Sequence, residues 1–130
     1  MAKLSYTILY VQDVTKSIEF YEKAFGFTRK FIVPDNSYGE LSTGDTTLSF
    51  ASVKLAQENL KDGFIESSTR NKPFAIEIGI TTDDVEKLYD QSIECGAIAE
   101  MPAKYKPQGQ TVAYVRDPDG FLIEICTPMD

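Results

Sequence analysis

Two glutamates carry most of the chemistry that this sequence can offer. Glu124 lies in the run Phe121-Leu-Ile-Glu-Ile-Cys126. In an extended chain Phe121, Ile123 and Ile125 fall on one face, and Leu122, Glu124 and Cys126 on the other. A carboxylate therefore sits mid-strand between apolar neighbours. Glu77 holds a similar place in the β-rich run 74–80. Burying an ionised carboxylate is costly unless it is paired. Two in one site are worse off, and one then tends to keep its proton. A bound cation would relieve that repulsion, as would Arg116 or Lys72 from within the chain. The chain has no histidine, which removes the commonest general base and the commonest metal ligand together. It also lacks a nucleophile–base pair, a phosphate loop and a dinucleotide fingerprint, so no catalytic residue is assigned.

Composition narrows the classes. At 130 residues the chain makes one compact unit or two very small ones. No apolar run approaches the roughly 20 residues needed to cross a bilayer, and the first residues lack the apolar core of a signal peptide. A cytoplasmic protein is the expectation. Cys95 and Cys126 are far apart and in no metal-binding spacing, so they read as reduced thiols. The net charge of −7 argues against nucleic acid and anionic membrane, and it permits a cationic ligand.

The elements that must position the glutamates follow from pattern. Residues 4–11 read as a strand. Asp13 is an N-cap for a helix whose core stripe is Val14, Ile18, Tyr21 and Phe25, ended by Gly26. Strands over 29–33, 38–42 and 46–52 complete a β-α-β-β-β unit, with Thr43-Gly44-Asp45-Thr46 as a tight turn. Residues 53–72 read as a polar linker with a short amphipathic piece at Leu55 and Leu60. The pattern then restarts: a strand over 74–80, a helix capped by Asp83 or Asp84 and ended by Gly96, a short strand over 97–100, and a hairpin over 111–128. The Asp117-Pro118-Asp119-Gly120 turn closes that hairpin.

The repeat is quantitative. Asp13-Val14 matches Asp84-Val85 at an offset of 71, and Leu48-Ser49-Phe50 matches Ile123-Glu124-Ile125 at an offset of 75. Modules 4–52 and 73–128 are thereby expected around the linker 53–72. One helix covers only one face of each sheet, so the other faces are expected to enclose a cleft. Four equivalent positions point into it: Tyr6, Ser49, Glu77 and Glu124. Tyr10, Tyr38 and Tyr114 would line it with rings suited to planar or amphipathic ligands, as would Phe31 and Tyr105, although Phe31 reads more simply as core. Gly109, in Pro107-Gln108-Gly109-Gln110, offers backbone at its rim. Asp117 and Asp119 are turn formers.

Paired β-α-β-β-β modules ending in Asp-Pro-Asp-Gly-Phe-Leu-Ile-Glu resemble the vicinal oxygen chelate superfamily, which holds glyoxalase I, extradiol dioxygenases, fosfomycin-resistance enzymes and bleomycin-resistance binding proteins. Val11-Gln-Asp13-Val, Ser17-Ile-Glu-Phe20-Tyr21, Phe25-Gly26, Asp83-Asp84-Val85, Gly96-Ala97 and Pro107-Gln-Gly109-Gln110 support the likeness over residues 4–128. The resemblance implies an α+β fold in which two βαβββ modules curl a mixed sheet around a cleft, within a single domain over 1–130. The superfamily's metalloenzymes place two His and two carboxylates at the four cleft positions. Glu124 matches the final Glu, whereas Tyr6 and Glu77 stand at the His positions and Ser49 at the other carboxylate. Glu77, Glu124 and Tyr6 form an oxygen set that suits Mg²⁺ or Mn²⁺ and is poor for Zn²⁺, Ni²⁺ or catalytic Fe²⁺. Tyr6 reads first as an aromatic wall. The leading expectation is a metal-free, homodimeric small-molecule binding protein of the bleomycin-resistance type. The alternatives are a Mg²⁺- or Mn²⁺-dependent lyase, isomerase or transferase, and a scaffold that kept only the fold.

Overall fold

The computed structural model describes residues 1–129; Asp130, the last residue of the expected domain, lies outside them. The chain divides into two compact units, Met1–Glu66 and Ser67–Asp130.

In the first unit β1 (Thr7–Val11), α1 (Val14–Phe25), β2 (Thr28–Ile32), β3 (Tyr38–Ser42), β4 (Thr47–Ser52) and α2 (Val53–Asn59) follow in order. The sheet order is β1-β4-β3-β2, with β1 and β4 parallel and the other pairs antiparallel. Asp13 caps α1 by accepting from the Lys16 amide at 3.2 Å, and Gly26 ends the helix in the left-handed conformation (φ 74°). Val14, Ile18 and Tyr21 of α1 are fully buried, as are Leu41 of β3 and Phe50 of β4, and the Tyr21 and Phe50 rings lie 5.4 Å apart.

The second unit repeats the plan with β5 (Glu77–Thr81), α3 (Val85–Glu94), β6 (Ile98–Tyr105), β7 (Thr111–Arg116) and β8 (Leu122–Cys126) in the order β5-β8-β7-β6. The register obeys the sequence offsets: Thr7 pairs with Leu48 in one sheet, and Ile78 with Ile123 in the other. Asp84 caps α3. Ile123 and Ile125 are fully buried, on the face opposite to Glu124. The α+β fold with a four-stranded mixed sheet in each repeat is thus as the sequence implies.

Three boundaries differ from expectation. Residues 53–59 are a helix docked on β4 and β1, capped by Ser52, and it buries Val53 and Ala56, whereas Leu60 is 45% exposed. β5 begins at Glu77 because Pro73 and Phe74 belong to the preceding segment, where Phe74 packs on Phe121 at 6.3 Å. β6 runs on to Tyr105 through Pro102. An edge strand tolerates a residue without an amide donor, and the pairing with β7 is irregular between Met101 and Lys104.

Candidate functional site

Strand pairing decides which side chains share a face. In the second sheet Met101, Tyr114, Glu124 and Gly79 form one cross-strand row, and Glu77 falls in the next row beside Leu122. All lie on the face opposite the one that α3 covers. The Tyr114 hydroxyl donates to Glu124 Oε2 at 3.0 Å. Gly79 presents no side chain on the other flank of Glu124, and a Cβ there would meet no atom within 4 Å. Glu124 is therefore anchored on one side and open on the other.

Electrostatics mark the same cluster. Burial, with the charge of Glu124 behind it, raises the pKa of Glu77 above the ordinary carboxylate value. Burial and the bond to Glu124 push the Tyr114 phenol up to about 12. The Cys126 thiol goes up to about 11 for the same two reasons. Arg116 does not neutralise the pair as the sequence allowed. It is buried, and its guanidinium donates to the carbonyls of Gly120 (2.9 and 3.0 Å) and Ser68 (2.9 Å). Among the described residues neither Glu77 nor Glu124 forms an ion pair.

The first sheet brings a different set together. Tyr38 donates to Glu40 Oε2 at 2.7 Å. Burial pushes the Tyr38 phenol up to about 12; Ser49 eases that shift, and Glu40 and Tyr6 add to it. Ser49 is fully buried and its Oγ lies close enough to affect Tyr38, yet it makes no hydrogen bond of normal geometry. Tyr6 is 50% exposed just ahead of β1. Tyr10 packs edge-on to Phe64 at 4.9 Å. Gly109 stands apart at the β6–β7 turn (φ 101°), its amide donating to Lys106 O at 2.9 Å, and the neighbouring Tyr105 is 72% exposed.

Of the sequence candidates, then, the structure groups Glu77, Tyr114 and Glu124 on one sheet and Tyr6, Tyr38 and Ser49 on the other. Sequence reasoning missed Glu40 and the open flank at Gly79. The alternation of Tyr38-Gly-Glu40-Leu-Ser42 could have placed Glu40 beside Tyr38. The gap at Gly79 follows only from the register with Glu124.

The donor set does not suit a resident transition metal. Among the described residues no three His, Cys, Asp or Glu side chains converge on a point a metal could occupy. The other nearby donors, a phenol and a thiol with raised pKa values, give up their protons reluctantly.

Among the described residues no helix is long and apolar enough to cross a membrane. The family model described as "Glyoxalase/Bleomycin resistance protein/Dioxygenase superfamily" matches residues 3–125. An uncharacterized protein of Bacillus subtilis, YraH, is 31% identical over 128 residues, covering 95% of this chain and 96% of its own length. A lactoylglutathione lyase of Arabidopsis thaliana is 32% identical over 120 residues and 88% of this chain, which spans only 40% of that protein. A solved glyoxalase/bleomycin resistance protein/dioxygenase family enzyme from Burkholderia phytofirmans superposes with a TM-score of 0.81 at 24% identity, over 98% of this chain and 100% of that one; at that identity the likeness is one of fold. Topology, repeat register and family match agree, and the chain belongs to the glyoxalase/bleomycin resistance protein/dioxygenase superfamily.

Proposed function

We propose that this chain binds a small, positively charged organic molecule without a metal, on the face of the second sheet that carries Glu77 and Glu124. The observation behind this reading is the unneutralised carboxylate pair. Glu124 is held by Tyr114 and left open toward Gly79, while Glu77 is driven toward its neutral form by burial and by Glu124. A cation seated between them would supply the missing counter-charge, and the acidic surface, −7 overall, would favour its approach. Tyr114 and Met101 would border an amphipathic ligand in the same row. The reading includes a homodimer, on the strength of the family resemblance, and a cytoplasmic setting.

A second reading is a lyase, supported by the name of the Arabidopsis relative. It would require a divalent ion such as Mg²⁺ or Mn²⁺ on Glu77 and Glu124, a donor set short of what such a centre ordinarily uses. One experiment separates the two. Protein purified without a His tag is titrated calorimetrically with a panel of cationic aromatic compounds, first in EDTA and then with Mg²⁺ or Mn²⁺. Saturable binding in EDTA that Glu124→Gln abolishes is the expected result. Binding that appears only after metal is added would overturn the metal-free reading in favour of the metal-dependent one.

A further inference from the structure

We propose that residues 60–66 are a strap that closes one end of the open face of the first sheet, with Phe64 as its latch, and that an uncharged aromatic group of a ligand takes the place of Phe64 on Tyr10. The strap starts where α2 stops. Leu60 ends that helix with its amide on Ala56 O at 2.9 Å, and the amide of Gly63 (φ 81°) closes a turn onto Leu60 O at 2.9 Å. Glycine adopts that positive φ without strain, and the chain leaves the turn at Phe64.

Tyr10 belongs to the open face. Leu9 and Val11 of β1 are buried, and Leu9 pairs with Phe50, on which Tyr21 of α1 packs. Alternation turns Tyr10 to the opposite side, where it shares a cross-strand row with Ala51 and Tyr38. The Phe64 ring meets Tyr10 edge-on, with centroids 4.9 Å apart and planes inclined at 60°, an arrangement that aromatic pairs favour. The ring of a ligand could make the same contact, but not while Phe64 makes it.

Little else holds the strap in place. From Gln57 to Glu66 every residue except Phe64 is exposed. Among the described residues no backbone hydrogen bond joins 64–66 to a strand. The tie to the end of β1 is a side-chain bond from Gln12 Nε2 to Glu66 Oε1, 2.7 Å long and open to solvent, so water competes for it. A segment with so few buried contacts opens at low cost in free energy. The closed form lowers the apparent affinity of the face in proportion to the fraction of chains that are open, so loosening the strap tightens binding.

The strap and Tyr10 both lie within the first unit, and the inference does not rest on the reading around Glu124. The test titrates N-phenyl-1-naphthylamine, an uncharged aromatic fluorophore, into the full-length protein. Phe64→Ala, which removes the latch, and Gln12→Ala, which removes the tie, are each expected to bind the dye severalfold more tightly than the parent. Gln12→Ala is expected to keep the melting temperature, which separates a freed face from a loosened fold. Tyr10→Ala also frees the strap but removes the seat, and its affinity is expected not to rise. In the parent the nuclear Overhauser contact between the Tyr10 and Phe64 rings is expected to vanish as the dye saturates. The proposal is overturned if Phe64→Ala and Gln12→Ala bind no more tightly than the parent, if Tyr10→Ala tightens binding as they do, or if the ring contact survives saturation. Glu124→Gln is expected to leave these responses unchanged, so the strap and the carboxylate reading fail separately; their loss in that variant would overturn the strap as a device of the first sheet.

Discussion

Tyr114 and Glu124 face each other directly across β7 and β8, and the phenol donates to the carboxylate at 3.0 Å. The first sheet has its own tyrosine–glutamate pair, Tyr38 and Glu40, but both residues are on β3, two positions apart. The repeat has therefore kept the backbone register while distributing the polar groups differently. In the second sheet a second carboxylate, Glu77, stands close enough to feel Glu124. The first sheet has Tyr6 at the corresponding place.

That difference has a consequence for pH. The pKa of Glu77 in the folded chain lies above its ordinary value of 4.5, through burial and then through Glu124. The folded state therefore holds the proton more tightly than the unfolded state does. Stability should fall as pH rises from about 4.5 through the raised pKa and level off above it. In Glu77→Gln that contribution is absent. Urea denaturation of both proteins between pH 4 and 8 checks this: the advantage of the variant should grow across the window and then become constant. Parallel curves would mean that Glu77 is unperturbed. Glu124→Gln should bring the Glu77 titration, followed by carboxyl-carbon NMR, part of the way back toward 4.5.

Asp13 works in the opposite direction. It caps α1 through the Lys16 amide and accepts from Asn36 Nδ2 at 3.1 Å, and these bonds, that of Asn36 foremost, hold its carboxyl below the ordinary 3.8. The stabilisation is present above the unfolded pKa and lost as pH falls through the depressed one. Asp13→Ala should cost about 1–2 kcal/mol at pH 7 by urea titration, the usual range for a lost N-cap. Asp13→Asn should cost much less, because an amide oxygen still caps. Equal losses in the two variants would show that the charge, and not the cap, is what matters.

Why some of this was legible in the sequence and some was not comes down to the range of the interactions. The caps at Asp13 and Asp84, the stop at Gly26 and the alternation around Glu124 are local, and each is written within a few residues. The offsets of the repeat carried the strand register as well, since Thr7–Leu48 and Ile78–Ile123 pair as the offsets require. The start of β5 and the passage of β6 through Pro102 were not legible, because they depend on Phe74 meeting Phe121 and on β6 lying at an edge. Arg116 was the sharpest divergence. Its position in a strand near two glutamates suggested a counter-ion, whereas the carbonyls it binds come from a turn and from Ser68, 48 residues away in sequence.

Those carbonyls make Arg116 and Gly120 one structural unit, and this gives the last prediction. Gly120 holds a φ of 96° in the turn after Asp117, and a Cβ there would lie 2.6 Å from Ser68 C and 2.8 Å from Ser68 O. Gly120→Ala must therefore both strain its own backbone and push back the segment at Ser67 and Ser68, at a cost of about 2–4 kcal/mol from overpacking and the positive φ. Arg116→Met keeps the unbranched apolar stem of the side chain but, without the guanidinium, leaves Gly120 O and Ser68 O unanswered in a buried setting, about 1–3 kcal/mol for each that water cannot reach. Since both changes release the same contact between the turn and Ser68, the double variant should lose clearly less than the two single losses combined. Urea titrations of the parent, the single variants and the double variant measure this directly, with amide exchange at 68–71 reporting the freed segment. Strict additivity would mean that the guanidinium and the turn hold the chain independently.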